Sequence, residues 1–318
     1  MRAEDALGAR DYAAGTLPEP SPLEKQPHTR KFEEGEHALR SFKITPISVF
    51  KAGGLALAVI GTAACSAQDA SNFVSQPAPV AATWSVSVQY DALSYGVRDR
   101  PTCTGALLAP QWVLTAAHCS KTGEPPHKDG PPVPNAIKQF HVRAGSLDRT
   151  QGGATSTVDA IYENPGFTWK QGDQTDEVDD ISLMHLVTLL NVQTVPLASR
   201  PPLDGELLTF YGWASTSNDP HPKSLPTQLQ QVGVTVADLS DCAENAPSQK
   251  EFCTSNPPGS GGSGGPAVRW EAGRPSVVGT LSRATGAIPG DGAATFSNAE
   301  QFRSWIDETI AQHAVAAH

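Results

Sequence analysis

Beyond about residue 70 the chain carries short runs of alternating apolar and polar residues, set apart by turn formers. Trp84-Ser-Val-Ser-Val-Gln-Tyr90 alternates at period two, which predicts a half-buried strand. Runs at 106–108, 112–116, 140–144, 156–162, 181–186, 207–213, 231–236, 276–281 and 293–296 predict further strands. Gly and Pro between such short strands point to a β sandwich or barrel. One helix closes the pattern. Ser297-Asn-Ala-Glu300 reads as a capping box, with Ser297 capping the first turn and Glu300 reaching back. Phe302, Trp305, Ile306 and Ile310 follow at i, i+3, i+4 and i+8, one apolar stripe that must dock on the strands. Two long polar loops, 121–136 and 168–179, interrupt the pattern, and the first is a Pro-rich candidate for the rim of a cleft.

A different pattern precedes the strands. Arg40, Lys43 and Lys51 precede an apolar run from Gly53 to Ala64, followed by small residues. Basic, apolar and small-residue segments in that order predict a secretory signal over 44–67. The run is too short for a membrane span, which needs ~20 apolar residues; a buried helix is the other reading. Thr62-Ala63-Ala64-Cys65 also resembles a bacterial lipoprotein box, with Thr62 where Leu, Val or Ile is usual. Lipidation of Cys65 and plain cleavage near Ala64 or Ala67 both remain open. Residues 1–43 are polar and lack apolar periodicity. They read either as a disordered extension or as the product of a start assigned too far upstream. The expected organisation is thus 1–43 extension, 44–67 signal segment and 68–318 folded domain.

Charge changes the picture in one respect. The net charge is −10 and the pI about 5.3, with the acidity concentrated after residue 67. That excludes a nucleic-acid binder, which needs basic surface to displace phosphate counterions. Of five cysteines, four fall in the folded domain: Cys103, Cys119, Cys242 and Cys253. Four allow three pairings. In an oxidising compartment the sequence-near pairs, Cys103–Cys119 and Cys242–Cys253, are expected. A zinc site is the competing use of these cysteines, but no C-x-x-C or H-x-x-x-H spacing accompanies them.

Three segments carry candidate chemistry. Thr115-Ala-Ala-His118-Cys119 sets a histidine at a strand end beside a cysteine, as a rigidly held general base requires. Taken alone, such a histidine is more often a packing or surface residue. Asp180 immediately precedes the apolar Ile-Ser-Leu-Met-His-Leu186, where a buried carboxylate could fix a histidine tautomer. The nearby Asp176, Glu177 and Asp179 read as a solvated acidic loop. Gly259-Ser-Gly-Gly-Ser263-Gly-Gly-Pro266 frees the backbone to aim two N–H groups at one point, where an oxyanion can sit. A flexible Gly/Ser linker is the bland alternative. Strands on both sides of the octet argue against it.

Together these segments resemble the trypsin/chymotrypsin family of serine peptidases, in its bacterial, exported type. His118, Asp180 and Ser263 follow that family's order, and the resemblance covers about residues 84–310. It rests on Cys103…Thr-Ala-Ala-His118-Cys119, Val142-Arg-Ala-Gly-Ser-Leu-Asp148, Asn164-Pro-Gly-Phe167, Asp180-Ile-Ser-Leu-Met, Tyr211-Gly-Trp213 and Val278-Gly-Thr-Leu-Ser282. The resemblance implies an all-β fold of two six-stranded antiparallel barrels with a C-terminal α-helix. It implies a secreted endopeptidase working through an acyl-enzyme, with Ser263 as nucleophile, His118 as base and Asp180 orienting it. Gly261 and Ser263 would supply the oxyanion N–H groups, and Ser282, Ala284, Asn256 and Gly292 would contact substrate. No cofactor or metal is implied. The partners are protein or peptide substrates, with no nucleic acid, a membrane only through a lipidated Cys65, and a monomer expected. The alternative is a catalytically inactive binding module.

The sequence departs from the family in two places. Gly262 stands where an Asp usually precedes the nucleophile, and no Ile-Val-Gly-Gly lies upstream to pair with it. Losing both partners avoids an unpaired buried charge. The oxyanion site would then be formed without cleavage-triggered activation, or be poorly formed. The Cys253–Ser263 loop is short and lacks an acid, with Asn256 near the expected pocket floor, so no preference for Lys or Arg is implied.

Overall fold

In the computed structural model the described residues are 76–77, 82–121, 136, 138–168, 178–218, 225–245, 247–286 and 288–314. The expected extension, signal segment and lipid-accepting Cys65 lie outside them, as do most of the two polar loops. Strand β1 (Gln76–Pro77) is followed by β2 (Ser85–Ala92), β3 (Val97–Ala109), β4 (Trp112–Thr115), β5 (Gln139–Ala144), β6 (Ala154–Glu163) and β7 (Ser182–Leu186). Strands β2 to β7 close an antiparallel barrel in the order β2-β3-β4-β7-β6-β5. The second half holds β8 (Leu207–Gly212), β9 (Gln230–Ala237), β10 (Glu251–Ser255), β11 (Pro266–Glu271), β12 (Arg274–Ala284) and β13 (Ala293–Asn298). These run β9-β10-β13-β12-β11-β8, and pairing of β8 with β9 closes a second barrel, with β1 added outside on β9. The two six-stranded antiparallel barrels are therefore as expected.

Each barrel has its own apolar interior. Val86, Val88, Leu107, Val142 and Met184 fill the first, while Phe210, Val234, Phe252, Val278 and Phe296 fill the second. A third cluster lies where the barrels meet, and there Trp84 and Tyr211 pack edge to face at 5.2 Å. Burial changes the expectation for β2. Ser85, Ser87 and Gln89, its polar face, are at most 2% exposed, so both faces of β2 are buried. Gln89 is satisfied there by donating to the Arg149 carbonyl at 2.8 Å.

The helix α1 (Arg303–Ala314) and the residue just before it bury Ile306 and Phe302 in that same cluster, with Trp305 and Ile310 packed at its edge. Burying two such side chains typically contributes about 1.5–3 kcal/mol each. The stripe is as predicted, but the capping box is not. Ser297 lies in β13 and its hydroxyl donates to the Asp180 carbonyl at 2.9 Å. It serves the site rather than the helix.

Strands β10 and β11 escape the period-two reading. In β11 a buried Arg269 breaks the apolar pattern, because its charge is met by Glu206 through paired hydrogen bonds. The Arg269 hydrogen bond, opposed by partial burial and helped by Leu203 N–H and Arg200, lowers Glu206 to about 2. A carboxylate below its unfolded value stabilises the fold above about pH 4.5, and that stability is lost as pH falls towards 2. Glu206→Gln should therefore cost up to roughly 3–5 kcal/mol at neutral pH, by leaving the buried Arg269 only the exposed Glu271, 3.7 Å away, as counter-charge. It should also flatten the acid limb. Urea unfolding of both proteins between pH 2 and 7 checks this, and parallel curves would refute it.

Candidate active site

The histidine is placed by covalent and polar anchors together. His118 lies in a short 3₁₀ turn, Ala117–Ser120, directly after β4. The Cys103–Cys119 disulfide ties that turn to β3, with Cα atoms 6.0 Å apart. Closing a loop of this length typically stabilises by ~3 kcal/mol. Cys103, Cys119 and His118 lie close enough to suggest a metal cluster, but both sulfurs are spent in the disulfide. Cys242 and Cys253 form the second disulfide. Both pairings are the expected ones.

Asp180 is fully buried and holds His118 at two points. One carboxylate oxygen accepts the His118 backbone N–H at 2.9 Å, and the other lies 2.7 Å from Nδ1. The Ser282 hydroxyl donates to that second oxygen at 2.6 Å. Burial by itself would raise the Asp180 carboxyl. The charge of His118 and the hydrogen bonds from His118 and Ser282 outweigh burial and hold it below the usual carboxylate value. With Nδ1 bound to a carboxylate, the ring presents Nε2 as the basic nitrogen.

Ser263 arrives from the second barrel. Its carbonyl accepts the Thr104 N–H of β3 at 2.9 Å. Gly264, at φ +73°, lies so close to Thr115, Thr104 and Ala116 that a Cβ would collide with backbone there. Only glycine allows this approach. Gly261, at φ +85°, meets Leu225, whose methyl carbons would lie 2.6–2.7 Å from an added Cβ. Leu225 is itself clamped, since Arg149 donates to the carbonyls of Leu225 and Pro226 at 3.0 and 2.9 Å. Gly262 faces Phe210 and Ala214, 3.0 and 3.1 Å from a would-be Cβ. A carboxylate at that position would thus enter apolar surroundings.

A cavity of about 160 Å³ opens beside Ser263, lined by Pro258, Gly261, Gly262, Ser282, Arg283 and Ala284 among others. Ser282 and Ala284 line it as the sequence suggests. Asn256 and Gly292 do not. The Asn256 amide donates instead to the Gly233 carbonyl at 2.7 Å, and Gly292 abuts Thr285 in the turn before β13. Asp179, expected in a solvated acidic loop, is only 8% exposed and paired with Lys250 at 2.6 Å. Arg283 was not foreseen. The signal available was its position directly after Ser282.

A fold of two closed barrels, with a carboxylate-bound histidine after β4 and a glycine-flanked serine whose carbonyl meets β3, defines the class of trypsin-like serine peptidases. The chain belongs to the trypsin family, whose model matches residues 73–306. Trypsin beta of Drosophila erecta is 24% identical over 232 residues, covering 70% of this chain and 81% of that protein. Trypsin alpha of Drosophila melanogaster is 25% identical over 245 residues, covering 71% and 82%. These insect relatives lend no support to the bacterial type, nor to a lipid anchor at Cys65.

Proposed function

We propose that the chain is a secreted serine endopeptidase that cleaves peptide bonds through an acyl-enzyme. The observation that carries this reading is the fully buried Asp180 bound to His118 through both backbone and ring. In the proposed mechanism Ser263 Oγ attacks the scissile carbonyl while His118 Nε2 takes its proton. Asp180 stabilises the imidazolium, and the N–H groups of Gly261 and Ser263 receive the oxyanion, each donor being worth roughly 3–4 kcal/mol. His118 returns the proton to the leaving amine, and water then releases the acyl group by the same steps in reverse roles. The two disulfides support export. A second reading, an inactive binding module, draws on Gly262. Labelling by a fluorophosphonate separates the two, because it requires an activated serine and a formed oxyanion site; failure to label Ser263 would favour the module.

The cavity beside Ser263 supports a preference before the scissile bond. None of its lining residues is acidic, and Arg283 contributes a cation. With Arg283 itself paired to Glu251, a buried Lys or Arg side chain would find no free counter-charge there. A positional-scanning peptide library should therefore show cleavage after uncharged residues. Strong preference for Lys or Arg would overturn this assignment.

A further inference from the structure

Behind Asp180 lies a charged network that the mechanism above does not use. Glu251, at the start of β10, and Arg283, in β12, form a forked ion pair with contacts of 2.7 and 3.0 Å. Both side chains are buried: Arg283 is 10% exposed and Glu251 not at all. The second Glu251 oxygen also accepts the Ser248 N–H at 2.6 Å, which fixes the fork. The same Arg283 nitrogen that meets Glu251 donates to the Ser282 hydroxyl at 3.1 Å.

That last contact has a chemical consequence. A hydroxyl has one hydrogen to give. With Arg283 donating into the Ser282 oxygen, the hydroxyl hydrogen is directed to its acceptor, the Asp180 carboxylate 2.6 Å away. We infer that Arg283, fixed by Glu251, is a positioning residue that orients the Ser282 hydroxyl onto Asp180 and balances the charge behind the His118–Asp180 pair. This rests on the proposed peptidase reading for its purpose, though not for its electrostatics. Among the described residues, the other charges near the pair are themselves paired. Lys250 neutralises Asp179 beside Asp180, and Lys121 pairs with Glu163, which also accepts from Ser120 in the His118 turn.

A brace of two opposite charges makes a signed prediction. Arg283→Met leaves the Glu251 charge uncompensated and should move the His118 titration up. Glu251→Gln leaves the Arg283 charge and should move it down. At the effective dielectric of protein interiors, each shift should be about one pH unit. The charge-free double variant, Arg283→Met with Glu251→Gln, should titrate close to the parent. NMR titration of the His118 ring in the full chain carrying Ser263→Ala, which prevents self-digestion, reads all three. A single variant that fails to fold does not end the test, because the double variant leaves no lone charge. In the otherwise active chain the double variant should label with fluorophosphonate about tenfold more slowly. Ser282→Ala should slow labelling similarly, and adding it to the double variant should cost nothing further. Opposite titration shifts and this lack of additivity support the brace. Shifts of the same sign, no shifts, or a double variant labelled at the parent rate would overturn it. Absence of labelling in the parent would instead count against the peptidase reading, with the titrations still deciding the electrostatics.

Discussion

Ser263→Ala should abolish peptide hydrolysis, lowering kcat by roughly a millionfold while the protein remains folded. Removing the nucleophile from a His-assisted serine site costs about this much, because histidine and carboxylate have nothing left to activate. Stability should barely change. The side chain is only partly buried, and the residue's anchoring contact is made by its carbonyl, which accepts from Thr104 and survives the substitution. Hydrolysis of a peptide ester by parent and variant, alongside their thermal unfolding, decides the matter. A variant that retains activity within tenfold of the parent would remove Ser263 from the chemistry altogether.

Two adjacent acids provide the second large effect and its own control. Asp180→Asn should lower kcat by about 10⁴, since an amide at that position favours the wrong histidine tautomer. Asp179→Asn should leave kcat within a few-fold. Asp179 faces Lys250, not His118, and losing a pair whose lysine is half exposed typically costs under about 1 kcal/mol. Because Asp180 is held below the ordinary carboxylate value, it stays ionised wherever histidine titrates. The acid limb of the parent's pH–rate profile should therefore belong to His118. Equal damage from both substitutions would mean that the orienting acid had been misassigned.

What the sequence made legible follows from how local each signal is. The order His118, Asp180, Ser263 and the near cysteine pairs can be read along the chain, and so can most strands. Strand β11 could not, because Arg269 occupies a core position made tolerable chiefly by Glu206, 63 residues away, and by the carbonyls of Arg200 and Pro201. Ser297 looked like a helix cap because its local spacing suits one. Its true acceptor, the carbonyl of Asp180, is 117 residues distant. Asp179 looked solvated for the same reason, its partner Lys250 being 71 residues on. The Glu251–Arg283 pair is likewise invisible until two strands are aligned. Asn256 marks the other kind of limit. Its number along a short loop did not reveal that its side chain turns outward to β9.

The distribution of these contacts has a consequence for how the protein is made. His118 and Asp180 emerge with the strands of the first barrel, yet the anchors that complete their surroundings come late. Ser263 and Gly264 dock on β3 and β4 from the second barrel, Ser282 reaches Asp180 from β12, and Ser297 does so from β13. A nascent chain paused after its first barrel would have a histidine and a carboxylate but nothing for them to act with. The site is assembled only once the last strands have been threaded into place. On the proposed peptidase reading, a chain still being made has no complete site with which to cut its own unfolded segments.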